Sequence, residues 1–177
     1  MRARYDIRSE RTAKRRTEIP VPIQDALDEG LIRPGVSVFD YGEGRGELCP
    51  KLERRGIRCA GWDPGHSPGK PKQAADVVAL NFVLNVIPDP QVRAEALREA
   101  HRLARQALVI GVRGRSDERS TKTKVRYGDG FLVGRGRVRT FQKFYSPEEF
   151  VRYARRVLGR PVRMLRRDPV VVVVDRR

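Results

Sequence analysis

Val36-Ser37-Val38-Phe39-Asp40-Tyr41-Gly42-Glu43-Gly44-Arg45-Gly46-Glu47 is the stretch that decides the fold. Val36 to Tyr41 is a β-branched and aromatic run that gives way to alternating glycines, after which Leu48 to Arg55 has helical spacing and stops at Gly56. A strand, a tight turn and a helix start in that order present backbone amides to a ligand, and glycine lets the ligand come close to the main chain. The dinucleotide fingerprint is GxGxxG, its third glycine serving close helix packing; here the spacing is GxGxG, and Glu47 would repel a pyrophosphate. An adenosyl amino acid offers a carboxylate, an ammonium and a ribose instead, so acids at Asp40 and Glu47 can attract the ammonium or order the loop. The turn therefore points to S-adenosylmethionine, held by Asp40, Gly42, Gly44, Arg45 and Gly46. A tight turn without any ligand is the competing reading, and the glycines alone would not decide between them.

Working outward, Ile57 to Asp63 reads as a second strand. Asp63 stands where an acid accepts hydrogen bonds from ribose hydroxyls, with Trp62 or Pro64 to flank an adenine. Asp76 to Leu80 is an apolar strand of parallel-sheet type, followed by a helix whose Val92, Ala96, Leu97, Ala100, Leu103 and Ala104 share one face, then by a strand at Ala107 to Val112. Strand and helix alternate as βαβ units require, which makes the fold α/β and Rossmann-like. The dozen residues between Asp63 and Asp76 cannot hold both a helix and a strand, so the third strand of the sheet and its helix are expected to be missing. Ser146-Pro147-Glu148-Glu149 is a helix start and Gly159 its end. Val162 to Leu165 and Val170 to Val174 then form an antiparallel hairpin closing a mostly parallel sheet. Upstream, Pro22 opens a helix carrying Ile23 and Leu27 that Gly30 caps. Residues 1–19 read as a basic N-terminal arm and 20–177 as a single domain with a basic loop at 113–143.

Charge is unevenly spread. The chain carries +16 overall, yet between Pro20 and Val112 twelve basic residues meet twelve acidic ones. The excess lies in the arm (seven against three), in Arg113 to Lys143 (ten against three) and in Phe144 to Arg177 (nine against four). A composition bias would enrich arginine everywhere, so this segregation points to a polyanionic partner, nucleic acid, with a solvated basic surface as the competing reading. No apolar run is long enough to span a bilayer and no signal-peptide pattern opens the chain, which places it in the cytoplasm and away from membranes. Cys49 and Cys59 read as small core residues rather than a disulfide, and with His66 and His101 they show no metal-ligand spacing, so no structural metal is expected.

The hydrophobic-Asp-Gly-x-Gly-x-Gly turn, the acid after the second strand and the closing hairpin resemble class I methyltransferases. More closely, Arg11-Thr12-Ala13, Ser37 to Gly42, Gly44-Arg45-Gly46, Gly61-Trp62-Asp63-Pro64, Leu84-Asn85-Val86-Ile87 and Thr140-Phe141-Gln142-Lys143-Phe144 look like the methyltransferase family associated with DNA phosphorothioation. The resemblance runs from about Arg8 to the C-terminus. It implies the class I methyltransferase sheet and S-adenosylmethionine as cofactor, but no particular acceptor. Members of that family are longer at the N-terminus and carry cysteine where this chain has Glu43.

Methyl transfer needs an aligned nucleophile more than acid-base machinery, because the sulfonium is already a good leaving group. The (D/N/S)PP(Y/F/W) motif of exocyclic amino methylation is replaced here by Asn81-Phe82-Val83-Leu84, and neither cysteine is placed for cytosine C5 chemistry. Asn81, at the carboxyl end of the central strand, is the better candidate to orient a substrate; Asn85 and Asp89 serve equally as helix caps. His66 is either a general base near the cofactor or an exposed loop histidine, and His101 reads as a surface residue. Aromatics interleaved with charge in the long loop make Tyr127, Asp129, Phe141 and Lys143 candidate acceptor contacts, together with Arg11 and Arg15 of the arm, unless those aromatics simply pack on the core. The acceptor is expected to be nucleic acid. The alternatives are a small anionic metabolite and a non-catalytic nucleic-acid-binding module.

Overall fold

The computed structural model describes residues 5–13, 15 and 17–176. The arm cations Arg2, Arg4, Lys14 and Arg16 lie outside them. A six-stranded sheet has the order β3-β2-β4-β5-β10-β9. Its strands are β2 (Val38–Tyr41), β3 (Cys59–Trp62), β4 (Ala75–Asn81), β5 (Ala104–Val112), β9 (Arg163–Arg167) and β10 (Val170–Asp175). β3, β2, β4 and β5 run parallel, and β10 is antiparallel to both β5 and β9.

Both faces of this sheet are covered, and the period of two along each strand sorts side chains between them. Val170, Val172 and Val174 join Phe39, Val78 and Leu80 beneath α3 (Pro90–Leu103) and α5 (Pro147–Leu158). Val171 and Val173 join Val38, Val77 and Val109 beneath α1 (Val21–Asp28) and α2 (Cys49–Glu53). All five valines of Val170–Val174 are fully buried, each worth about 1.5–3 kcal/mol. α1 lies so close to β5 that a methyl at Gly111 would sit 2.2 Å from Pro22 Cγ. Ser146 Oγ accepts the Glu149 N–H, and Gly159 closes α5 at φ +62.

No strand or helix forms between Asp63 and Ala75, so β3 is an edge of the sheet, as the short gap requires. The loop is instead stapled to its neighbours. Ser67 Oγ and Lys70 Nζ both donate to Glu43 Oε1 at 2.6 Å, and Lys72 Nζ lies 2.7 Å from Glu99 and 3.9 Å above the Trp62 ring.

Three expectations are corrected. Cys49 and Cys59 are joined by a disulfide that ties α2 to β3; separation in sequence hid their meeting, because α2 packs back on the strand that follows it. His101 is buried on α3, its Nδ1 beside Arg176 rather than in solvent. Val92 is exposed, outside the core face expected of it.

The segment from Arg113 to Lys143 is more ordered than a loop. It holds α4 (Arg115–Ser120) and the strands β6 (Lys124–Tyr127), β7 (Gly130–Val133) and β8 (Val138–Gln142), an antiparallel meander. β1 (Asp6–Ile7), from the arm, pairs in parallel with β8, completing a four-stranded sheet.

Candidate cofactor and acceptor cleft

The glycine turn is held by the strand beside it. Gly42 and Glu43 N–H both donate to the Trp62 carbonyl at 2.8 and 3.0 Å. Gly42, Gly44 and Gly46 have φ of +87, +56 and +70, and a methyl at Gly42 would lie 2.3 Å from Val83 Cγ2. Only glycine satisfies both that conformation and that contact. Asp63 clamps the turn from the other side: Oδ2 accepts Gly44 N–H at 3.0 Å, while Oδ1 accepts Gly65 N–H, His66 N–H and the His66 ring. Burial alone would raise the Asp63 pKa, but these hydrogen bonds outweigh it and hold the carboxyl below its ordinary range. With Oδ1 this crowded, Oδ2 keeps the acceptor capacity for a ligand hydroxyl.

Around the turn opens a cleft of about 540 Å³, within the size range of small-molecule sites. Asp40, Gly42, Gly44, Arg45, Trp62, Asp63, His66 and Asn81 all line it; Gly46 does not. Asn81 is the most telling of them. Both its amide atoms are buried and have no hydrogen-bond partner, a state that costs about 1–3 kcal/mol per group unless a ligand or water completes it. Next to it Phe82 has φ +58, the one non-glycine in the left-handed region among the described residues. Such strain clusters at ligand sites. Val83, Val86, Ile87, Val92 and Ala96 give the cleft an apolar wall, which accounts for the exposure of Val92.

Asn85 and Asp89 separate. Asp89 caps α3 by accepting Gln91 N–H at 2.8 Å. Asn85 is neither a cap nor a cleft residue: it is fully buried, Nδ2 donating to Gln142 Oε1 at 3.0 Å and its backbone carbonyl accepting Lys143 N–H at 2.7 Å.

None of the six acceptor candidates lines the cleft. Phe141 is fully buried under the small sheet. Asp129 is bonded to Arg93, an almost fully buried guanidinium that also donates to the Ile87 and Pro88 carbonyls, and Lys143 bridges Asp129 and Glu149. These three brace the cleft wall from behind. Tyr127, Arg11 and Arg15 are exposed.

The sequence reading missed the roof of the cleft. Ser9, Glu10, Thr12 and Ala13 line it from above, with Ser9 Oγ donating to the Val86 carbonyl at 2.9 Å and Arg45 Nε to the Ala13 carbonyl at 3.4 Å. It also missed Glu43, whose side chain lies over Gly61, where a methyl would be 2.2 Å from Oε2. Neither has a spacing signal, since both arise from contacts between distant segments.

Neither a family model nor a curated protein matches the sequence. Solved structures do. Over 96% of its length the chain superposes on 78% of 1,6-didemethyltoxoflavin-N1-methyltransferase from Burkholderia thailandensis, at 18% identity and TM-score 0.54; that structure has 1,6-didemethyltoxoflavin and S-adenosylhomocysteine bound. The sugar N-methyltransferase KedS8 from Streptoalloteichus is similar at 15% identity over 89% of this chain and 85% of its own, TM-score 0.58. A SAM-dependent methyltransferase from Aquifex aeolicus is 18% identical over 94% and 95%, TM-score 0.56. The fold is therefore that of class I methyltransferases, without their third strand. Among the described residues no helix is long and apolar enough to cross a membrane, and no cluster of acids, histidines and cysteines could hold a metal.

Proposed function

We propose that the chain binds S-adenosylmethionine in this cleft and transfers its methyl group to nucleic acid. The residues fit the cofactor: Gly42 and Gly44 line the cleft with bare backbone, and the unpartnered Asn81 amide awaits a polar ligand. Asp40 faces the ammonium, Asp63 Oδ2 accepts a ribose hydroxyl, Trp62 flanks the adenine, and Arg45 meets the carboxylate. The bound cofactor supplies an electrophilic methyl on a sulfonium. Asn81 orients the acceptor atom. With His66 Nδ1 held at Asp63 Oδ1, Nε2 is the ring nitrogen left to take the proton an amine or hydroxyl acceptor releases.

The observation that carries the choice of acceptor is the sorting of charge. The cleft is lined by the carboxylates Glu10, Asp40, Glu43, Glu47 and Asp63 against Arg45 and Lys51, in a protein of net charge +16. A negative cleft attracts a sulfonium and repels a small anionic acceptor. It accepts an uncharged group whose phosphates stay outside, where the exposed Arg11, Arg15 and Tyr127 can receive them.

The test is transfer of labelled methyl from S-adenosylmethionine to separated cellular nucleic-acid and metabolite fractions. Label in nucleic acid is expected. Label confined to metabolites would overturn the acceptor, and the absence of calorimetric heat with S-adenosylmethionine would overturn the cofactor.

A further inference from the structure

One face of the small sheet meets the core only at one end, where Phe131 packs on the buried Phe144 and Gln142 bonds to Asn85. The pairing register puts Lys124, Arg126, Phe131, Val133, Val138 and Thr140 on that side together with the buried Gln142, opposite the buried Leu132 and Phe141. The Arg126 guanidinium lies 5.6 Å from the Phe131 ring centroid and the Lys124 ammonium, which donates to the Glu118 and Thr121 carbonyls, lies 5.7 Å from it, so two cations flank a partly buried aromatic ring. Exposed Arg135 and Arg137 follow in the turn between β7 and β8. Among the described residues none of Arg126, Arg135 and Arg137 is in an ion pair, though acids neutralise many other cations of the chain.

We infer that this face is a platform for single-stranded nucleic acid, with phosphates at Arg126, Arg135 and Arg137 and a base stacked on Phe131; the inference rests on the nucleic-acid reading above and names the form of the acceptor. A ring flanked by cations stacks with a free base face, which a duplex hides. No long helix stands on this sheet to enter a groove, and α4 has only six residues with Asp117 and Glu118 in its first turn. A base reaches a roofed, acid-lined cleft only when it is out of a helical stack. The route is short: β1, the outer strand of the same sheet, continues through Arg8 into Ser9, the first residue of the roof. Three inter-strand spacings, about 14 Å, separate β6 from β1.

Fluorescence anisotropy of the full chain tests this, with a labelled single strand of about 12 nucleotides as RNA or as DNA, the corresponding duplex, and polyphosphate as competitor. The single strand should bind at least about tenfold tighter than the duplex, with a log–log salt slope of about −2 to −3 for three or four phosphate contacts. Arg126→Glu and Phe131→Leu should each weaken it severalfold, while Arg152→Glu, at an exposed cation of α5 outside the small sheet, should not. Equal affinity for duplex, complete displacement by an equal charge of polyphosphate, or indifference to Arg126→Glu would overturn the platform. A preserved heat of S-adenosylmethionine binding in the same preparation would show that the cofactor reading stands apart from that failure.

Discussion

Asp63 Oδ2 and the Gly44 amide, 3.0 Å apart, join the acid that ends the second strand to the middle of the glycine turn. One carboxylate thus shapes the turn and keeps an acceptor for the ligand. Asp63→Asn preserves the volume but places an amide N–H where protein N–H groups already converge. A hydrogen bond to a charged group is worth about 1.5–3 kcal/mol, so affinity for S-adenosylmethionine should fall roughly 10- to 100-fold by titration calorimetry. Unchanged affinity would remove Asp63 from the site.

Gly42→Ala and Gly30→Ala separate crowding from backbone strain. Both glycines have positive φ, but a methyl at Gly30 meets nothing within 4 Å whereas one at Gly42 meets Val83 at 2.3 Å. Gly30→Ala should cost about 1 kcal/mol of stability by denaturant unfolding and leave the cofactor site intact. Gly42→Ala should cost more, about 2–4 kcal/mol, and abolish binding, because the strand end that carries Phe82 and Val83 must shift.

The Cys49–Cys59 disulfide spans a sequence separation of 10. On a chain-entropy estimate such a loop contributes about 2–3 kcal/mol. Addition of a thiol reductant should lower the melting temperature of the wild type and leave that of a Cys49→Ala, Cys59→Ala double variant unchanged. Identical melts with and without reductant in the wild type would argue that the bridge adds no stability.

The parts of this fold that were legible in sequence are those whose signals are local and repeated. The valine run, the glycine turn and the Ser146–Gly159 helix each carry their own period or cap. The missing third strand followed from counting residues between Asp63 and Asp76. What escaped depended on partners far along the chain. β6, β7 and β8 have four or five residues each, too few for a period to stand out among glycines and arginines. The roof at Ser9–Ala13 exists because Ile7 pairs with Arg139, and no property of either residue announces the other. Phenylalanine has no preference for positive φ, so Phe82 was equally unreadable.

Arg93 and Asp129 form the brace between the small sheet and the cleft wall, with Nη1 and Oδ2 at 2.7 Å. Asp129→Ala leaves a guanidinium buried with only the Ile87 and Pro88 carbonyls, and should destabilise by about 1–3 kcal/mol, less than for a fully buried pair because Asp129 is partly exposed. Arg93→Met replaces the charge with apolar volume and should cost less stability than Asp129→Ala. It should still weaken S-adenosylmethionine binding, since the Ile87 carbonyl loses the donor that fixes the wall. Denaturant unfolding and calorimetry on the two variants check both halves.

His101 gives the protein a pH-dependent stability distinct from that of its carboxylates. Burial lowers its pKa first, and the nearby Arg176 and Arg160 charges lower it further, so the ring is neutral in the fold. Because the folded value lies below the unfolded one of about 6.5, the unfolded chain binds the proton more readily. The contribution of the neutral ring is therefore complete above about pH 6.5 and is lost as pH falls from there toward the folded value. The carboxyls of Asp63, Asp76 and Asp129, all held below their ordinary range, lose theirs only below about pH 4. Thermal melts should accordingly show one decline that begins below about pH 6.5 and a second below 4. His101→Leu should abolish the first and spare the second. A first decline that survives the substitution would assign it to another group.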